Sequence, residues 1–100
     1  MSARAYGCLA SVQVAAQTLT QLMAAQIQGF TAHTFSAATV RAHYDNADRL
    51  FLVINGRDSG YLVPGEPLEF RPPHSPISTD EVSFRAATAN DRLFVAGVES

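Results

Sequence analysis

Lysine and tryptophan are absent from this chain, cysteine occurs once, and charge of either sign is scarce. The seven basic residues are all arginines and stand against nine acidic ones, for a net charge of -2. No basic excess exists to neutralise phosphates, which excludes a dedicated nucleic-acid binder. The missing lysine also removes the Gly-Lys-Ser/Thr of a Walker phosphate loop. Cys8 stands alone, so no intrachain disulfide and no cysteine metal cluster can form. No apolar run approaches the ~18 residues of a membrane helix. Gly7 before Cys8 mimics a lipoprotein cleavage site, but only seven residues precede that cysteine, too few for a signal core. Cys8 is therefore read as a buried strand residue, and the chain as made and kept in a reducing cytoplasm or in something assembled there.

What is present is apolar. Hydrophobic residues make up 47% of the 100, which suits one domain with one core and argues against disorder. Charged residues are 16%, against roughly 25% in an average soluble domain. So thin a coat of charge fits a surface partly covered by other subunits. Arginine without lysine points the same way, because the planar guanidinium is favoured at protein interfaces. A GC-rich genome would give the same arginine and alanine bias.

The pattern predicts a mainly β chain: a small antiparallel β-sandwich or barrel with one short N-terminal helix. Residues 1–14 read as an N-terminal arm and strand, with Cys8–Val14 extended and Val12 and Val14 alternating against Gln13. Thr18 and Gln21 form a capping box for a helix over 18–28, with Leu19, Leu22, Met23 and Ile27 on one face and Gly29 as its stop. Residues 31–39 read as a loop or ragged edge strand, and residues 38–98 as the β-core. Strands are expected at 40–44, 50–54, 61–63, 68–70, 82–87 and 93–98. Turn chemistry separates them at Asp45–Asp48, Asn55-Gly56 through Gly60, Pro64-Gly65 and Asn90-Asp91. Pro72, Pro73 and Pro76 make 71–78 an extended surface loop.

One internal echo stands out. Arg41-Ala42 is followed by Asn46-Ala47-Asp48-Arg49-Leu50-Phe51, and Arg85-Ala86 by Asn90-Asp91-Arg92-Leu93-Phe94. Two hairpins with one turn solution, or two related halves stacked as pseudo-symmetric sheets, would both produce it. Either way Leu50, Val53, Leu93 and Val95 are expected in the core.

Catalytic patterns do not emerge. His33, His43 and His74 lie in three segments without metal-ligand spacing, so no metal and no cofactor is expected. His43 is expected half exposed. No Gly-x-Ser-x-Gly elbow marks a nucleophile. Asp45 and Asp48 share a turn, where capping the backbone is the simpler task. The aromatics are spread as core residues are, not interleaved with basic ones. No enzyme is expected.

Residues 38–70 carry Leu50-Phe51-Leu52-Val53-Ile54-Asn55-Gly56, then Gly60, Leu62, Pro64, Gly65, Glu66 and Leu68 in a leucine-x-proline-Gly-Glu turn, and Leu93-Phe94-Val95 closes the chain. This arrangement resembles the small β-rich virion proteins of tailed bacteriophages, of the capsid decoration (head-cement) type. The resemblance implies a structural protein at the virion's capsid surface, synthesised in the host cytoplasm. It would bind the major capsid protein in many copies as a homo-oligomer, with a trimer at three-fold positions as one form, and with no nucleic acid and no membrane as partner. Removing residues 1–14 is then expected to abolish assembly. Another virion component (head fibre, tail or adaptor) and a small sugar-binding β-sandwich stacking on Tyr44, Tyr61 and Asp58 are the alternatives. Interface candidates on termini, turns and exposed strand positions are Arg4, Tyr6, Arg41, Arg57 and Arg71.

Overall fold

The computed structural model describes residues 5–70 and 77–99. Two antiparallel sheets pack face to face, the expected mainly β sandwich with one short helix. In chain order the elements are β1 (Ala5–Val12), β2 (Gln17–Thr18), α1 (Leu19–Ala24), β3 (Thr34–Ala42), β4 (Leu50–Ile54), β5 (Arg57–Leu62), β6 (Pro67–Phe70), β7 (Ile77–Ser78), β8 (Val82–Ala86) and β9 (Asp91–Glu99). The front sheet runs β1-β9-β3-β6, with β7 pairing the start of β3; the back sheet runs β2-β8-β4-β5.

The core lies between the sheets. Val12, Phe35, Val40, Leu93 and Val95 point into it from the front, and Leu50, Leu52, Val82 and Phe84 from the back. Each large aliphatic side chain buried this way contributes about 1.5–3 kcal/mol relative to exposure. Leu50, Leu93 and Val95 take their expected places. Val53 is buried too, but it lies outside the main cluster, which Leu52 joins instead. The extra residue opposite Leu52/Val53 on β5 breaks the alternation there.

Thr18 caps α1 as the sequence predicts: its Oγ1 accepts the Gln21 N–H (3.2 Å), and Gln21 Oε1 accepts the Thr18 N–H (2.9 Å). The helix ends at Ala24 rather than Gln28. It persists only while Leu19, Leu22 and Met23 are covered by the core, since so short a helix is not stable alone. The chain then turns, with the Met23 carbonyl accepting N–H bonds from both Gln26 and Ile27.

Of residues 31–39, read as a loop or ragged edge strand, 31–33 are loop but the rest is not an edge: Thr34–Ala42 forms a single nine-residue strand with β9 on one side and β7 and β6 on the other. A bulge between Phe35 and Ala37 shifts its parity, so Phe35 points inward on an odd number and Ala38, Val40 and Ala42 on even ones. Gly97 of β9 lets the Phe35 ring lie flat against the sheet; a Cβ there would stand 2.7 Å from the ring. β1 stops at Val12, leaving Val14 58% exposed, and β3 stops at Ala42. Residues 5–12 pair with β9 along their whole length and bury Ala10 and Val12. Deleting residues 1–14 would therefore remove part of the core and cannot isolate an assembly role.

Neither Asn/Asp turn of the echo closes a hairpin. The first carries the chain from β3 in the front sheet to β4 in the back, and the second from β8 in the back to β9 in the front. The pairing follows the echo. Ala42 faces Leu93 and Arg41 faces Phe94 in the front sheet, as Ala86 faces Leu50 and Arg85 faces Phe51 in the back. The repeated segments are thus two sheet-crossing arms related by a pseudo-two-fold, each pairing with the other at both ends.

The arms lock at their corners. Asn46 Nδ2 donates to the Arg92 carbonyl (2.9 Å) and the Arg92 N–H donates to Asn46 Oδ1 (2.7 Å). The buried Asp91 carboxylate accepts the N–H groups of Ala47 (3.0 Å) and Asp48 (3.1 Å). Of the expected turns two are genuine and tight, but the one read over Asn55 through Gly60 is confined to Asn55-Gly56, because Arg57–Gly60 already pair with β4 as part of β5. Asn55 and Gly56, at φ 51° and 80°, fit a type I′ hairpin from β4 to β5. Pro64-Gly65 makes a type II turn, which the Glu66 N–H closes onto the Val63 carbonyl (2.9 Å). Gly65 at φ 86° takes the position that requires a positive angle. The proline loop lies, for residues 71–76, outside the described residues.

Candidate interface on the outer face of the front sheet

A sheet in a sandwich buries one face and ordinarily turns polar side chains to water on the other. The front sheet departs from this. Register places Ala5, Gly7 and Leu9 of β1, Phe94, Ala96 and Val98 of β9, and Ala37 and Thr39 of β3 side by side on the outside. Phe94 and Val98 are 39% and 40% exposed, and Ala5, Gly7 and Ala96 are exposed as well. Three strands about 4.8 Å apart, each contributing about five residues at ~3.3 Å per residue, make a patch of roughly 240 Å². That is somewhat below the largest apolar patch on a typical monomer, roughly 300–600 Å², and it is unusual in occupying the middle of one sheet face.

The patch is shallowly concave. A depression of about 540 Å³ opens between Gly7, Leu9, Thr39, Arg41, Phe94 and Ala96, and a second of about 240 Å³ lies toward Ala5, Ala37 and Val98. Small side chains in the middle and larger ones at one end produce this shape. Arg41 borders the larger depression, and its guanidinium makes no ion pair, hydrogen bond or cation–π contact among the described residues. At the corner end the Phe94 ring stacks on His43 (5.2 Å between centroids), which stacks in turn on Tyr44 (4.5 Å). His43, expected half exposed, is 93% covered: only 7% remains accessible. Its Nδ1 accepts the Asp45 N–H (3.0 Å), which makes it a structural bracket for the corner.

The five interface candidates from the sequence do not converge. Arg41 lies on the patch. Arg57 is exposed just after the β4–β5 turn, at the edge of the other sheet. Tyr6 points inward, edge-on to Phe30 (5.5 Å, 85°) and with its hydroxyl 3.2 Å from His33 Nε2. Arg4 and Arg71 lie outside the described residues. Leu9, Thr39, Phe94 and Ala96 went unnoticed in the sequence, since they meet only once three distant strands are in register. Nor does the sugar-stacking set assemble. Tyr44 follows a front-sheet strand, whereas Tyr61 and Asp58 sit on β5 of the back sheet, the first under Arg49 and the second paired with Arg85 (3.6 Å). Cys8 is half-buried on β1, and burial pushes its thiol above the ordinary value, away from reactivity at neutral pH.

No cluster of three or more histidine, cysteine or acidic side chains suited to a metal occurs among the described residues. Among the described residues no helix is long and apolar enough to cross a membrane. Compared with protein-family models, curated proteins and solved structures, the chain matches none.

Proposed function

We propose that this protein is a structural, non-catalytic virion component that docks on a phage capsid through the outer face of its front sheet. The observation that carries the docking is the shallowly concave apolar patch around Leu9, Thr39, Phe94 and Ala96, with Arg41, unpaired among the described residues, at its border. Covering such a face removes apolar area from water at about 25 cal/mol per Å². Arg41 then offers a fixed fork of donors to a carboxylate or carbonyl on the partner. A standard interface takes about 800 Å² per partner, so the patch would form the centre and the polar rim around Glu69 and Arg92 the border. The class of partner comes from the resemblance of residues 38–70 to decoration proteins, which are present in many copies on the head.

Immunogold electron microscopy of phage particles in a lysate of the source strain tests this reading. Label spread over the whole head supports decoration. Label confined to a vertex or tail moves the protein to a fibre or adaptor role, and unlabelled particles overturn the virion assignment.

A further inference from the structure

Sheet edges present unpaired backbone groups, and proteins that stay monomeric guard them with charge, proline, bulges or brevity. Three edges of this sandwich are guarded. β6 begins at Pro67 and carries Glu69; β5 carries Arg57 and Asp58 and is bulged against β4; β2 is two residues long. β1 has none of these devices. Its eight residues, Ala-Tyr-Gly-Cys-Leu-Ala-Ser-Val, hold no charge and no proline, and among the described residues the strand pairs with β9 alone, in unbroken register. α1 does not cover the free side. Leu19, Leu22 and Met23 join Ala10 and Val12 in the core beneath the sheet, and no backbone hydrogen bond links α1 to β1 among the described residues.

We infer that β1 is a self-association edge, pairing antiparallel with β1 of a second copy about a two-fold axis through Cys8. This goes beyond docking on a capsid and does not depend on it. A second copy is the occupant because an uncharged strand meets itself without opposing like charges, whereas a charged partner strand would gain nothing from it. Two-fold pairing places residues of equal parity opposite each other, so outward residues meet outward ones. The register centred on Cys8 sets Ala5 opposite Ser11 of the second copy and Gly7 opposite Leu9. The two apolar patches then join into one continuous face across an isologous dimer.

The test is sedimentation velocity of the full chain at high micromolar concentration, in reductant so that a Cys8 disulfide cannot mimic pairing. The wild type is expected at twice the monomer mass of 10.7 kDa. Ala5 and Ser11 are both exposed, so lysine at either is compatible with the fold, which a thermal melt checks. A5K/S11K sets lysines opposite each other at both ends of the ladder and is expected to sediment as a monomer. A5E/S11K sets opposite charges there and is expected to restore the dimer. A96E, in the middle of the patch and away from the edge, is expected to keep the dimer while losing capsid binding, which separates failure of this pairing from failure of the docking. A monomeric wild type overturns the proposal. So does a dimer that A5K/S11K leaves intact, that A5E/S11K fails to restore, or that A96E dissolves.

Discussion

The outer faces of the two sheets occupy equivalent places in the pseudo-two-fold, yet they are finished in opposite ways. On the back sheet Arg85 lies over the Phe51 ring (4.2 Å to its centroid) and Arg49 over Tyr61 (4.5 Å), with Asp58 beside Arg85. The aromatic surface is roofed by the protein's own cations. On the front sheet the counterparts are Arg41 and Phe94, directly cross-strand, but no cation covers the Phe94 ring, which stacks on His43 instead, and a depression opens beside Arg41. The same strand pairing thus yields a closed face once and an open one once. Arginine placement, rather than backbone geometry, makes the difference, and the open face is the one free to bind.

Substitutions at equivalent positions can break or sharpen this comparison. The largest effect belongs to the shared interior. Leu50→Ala and Leu93→Ala remove fully buried, symmetry-related side chains, and each is expected to cost about 2–5 kcal/mol in a denaturant titration. If Leu93→Ala left stability unchanged, the two arms would not share one core.

The corners come next. Asp91→Ala strips the acceptor from two backbone N–H groups in a buried corner and is expected to cost about 1–3 kcal/mol by the same measurement. Asp48 accepts the N–H of Arg49 from an exposed position, so Asp48→Ala is expected to stay within about 0.5 kcal/mol. Equal losses at both would mean that the corners are finished alike.

The smallest stability effect separates the faces. Arg85→Ala is expected to cost about 0.5–1 kcal/mol, the scale of an exposed cation–π contact with a screened ion pair. Arg41→Ala should leave the thermal midpoint where it was, because Arg41 makes no contact of that kind among the described residues. An Arg41→Ala loss as large as that of Arg85→Ala would show that the front face is roofed too.

The sequence discloses what is local. The Thr18–Gln21 capping box, the Asn55-Gly56 hairpin and the Pro64-Gly65 turn each depend on residues within four positions of one another, and each formed as the chemistry dictates. The first part of β3 is hidden because Ser36, Ala37 and Ala38 carry little strand preference and the bulge between Phe35 and Ala37 breaks the alternation near the start of the strand. The echo was visible, but whether its turns closed hairpins or crossed between sheets depends on pairings far apart in sequence. The apolar patch is legible least of all. Alternate residues of β1, β3 and β9 compose it, and each taken singly is an ordinary small or apolar strand residue.

Cosedimentation of the purified chain with phage heads that lack it tests the open face most directly. The account predicts that wild type and Arg85→Ala bind alike while Ala96→Glu, a carboxylate at the centre of the front face, does not bind. Undiminished binding by Ala96→Glu would contradict it and place the contact elsewhere on the molecule.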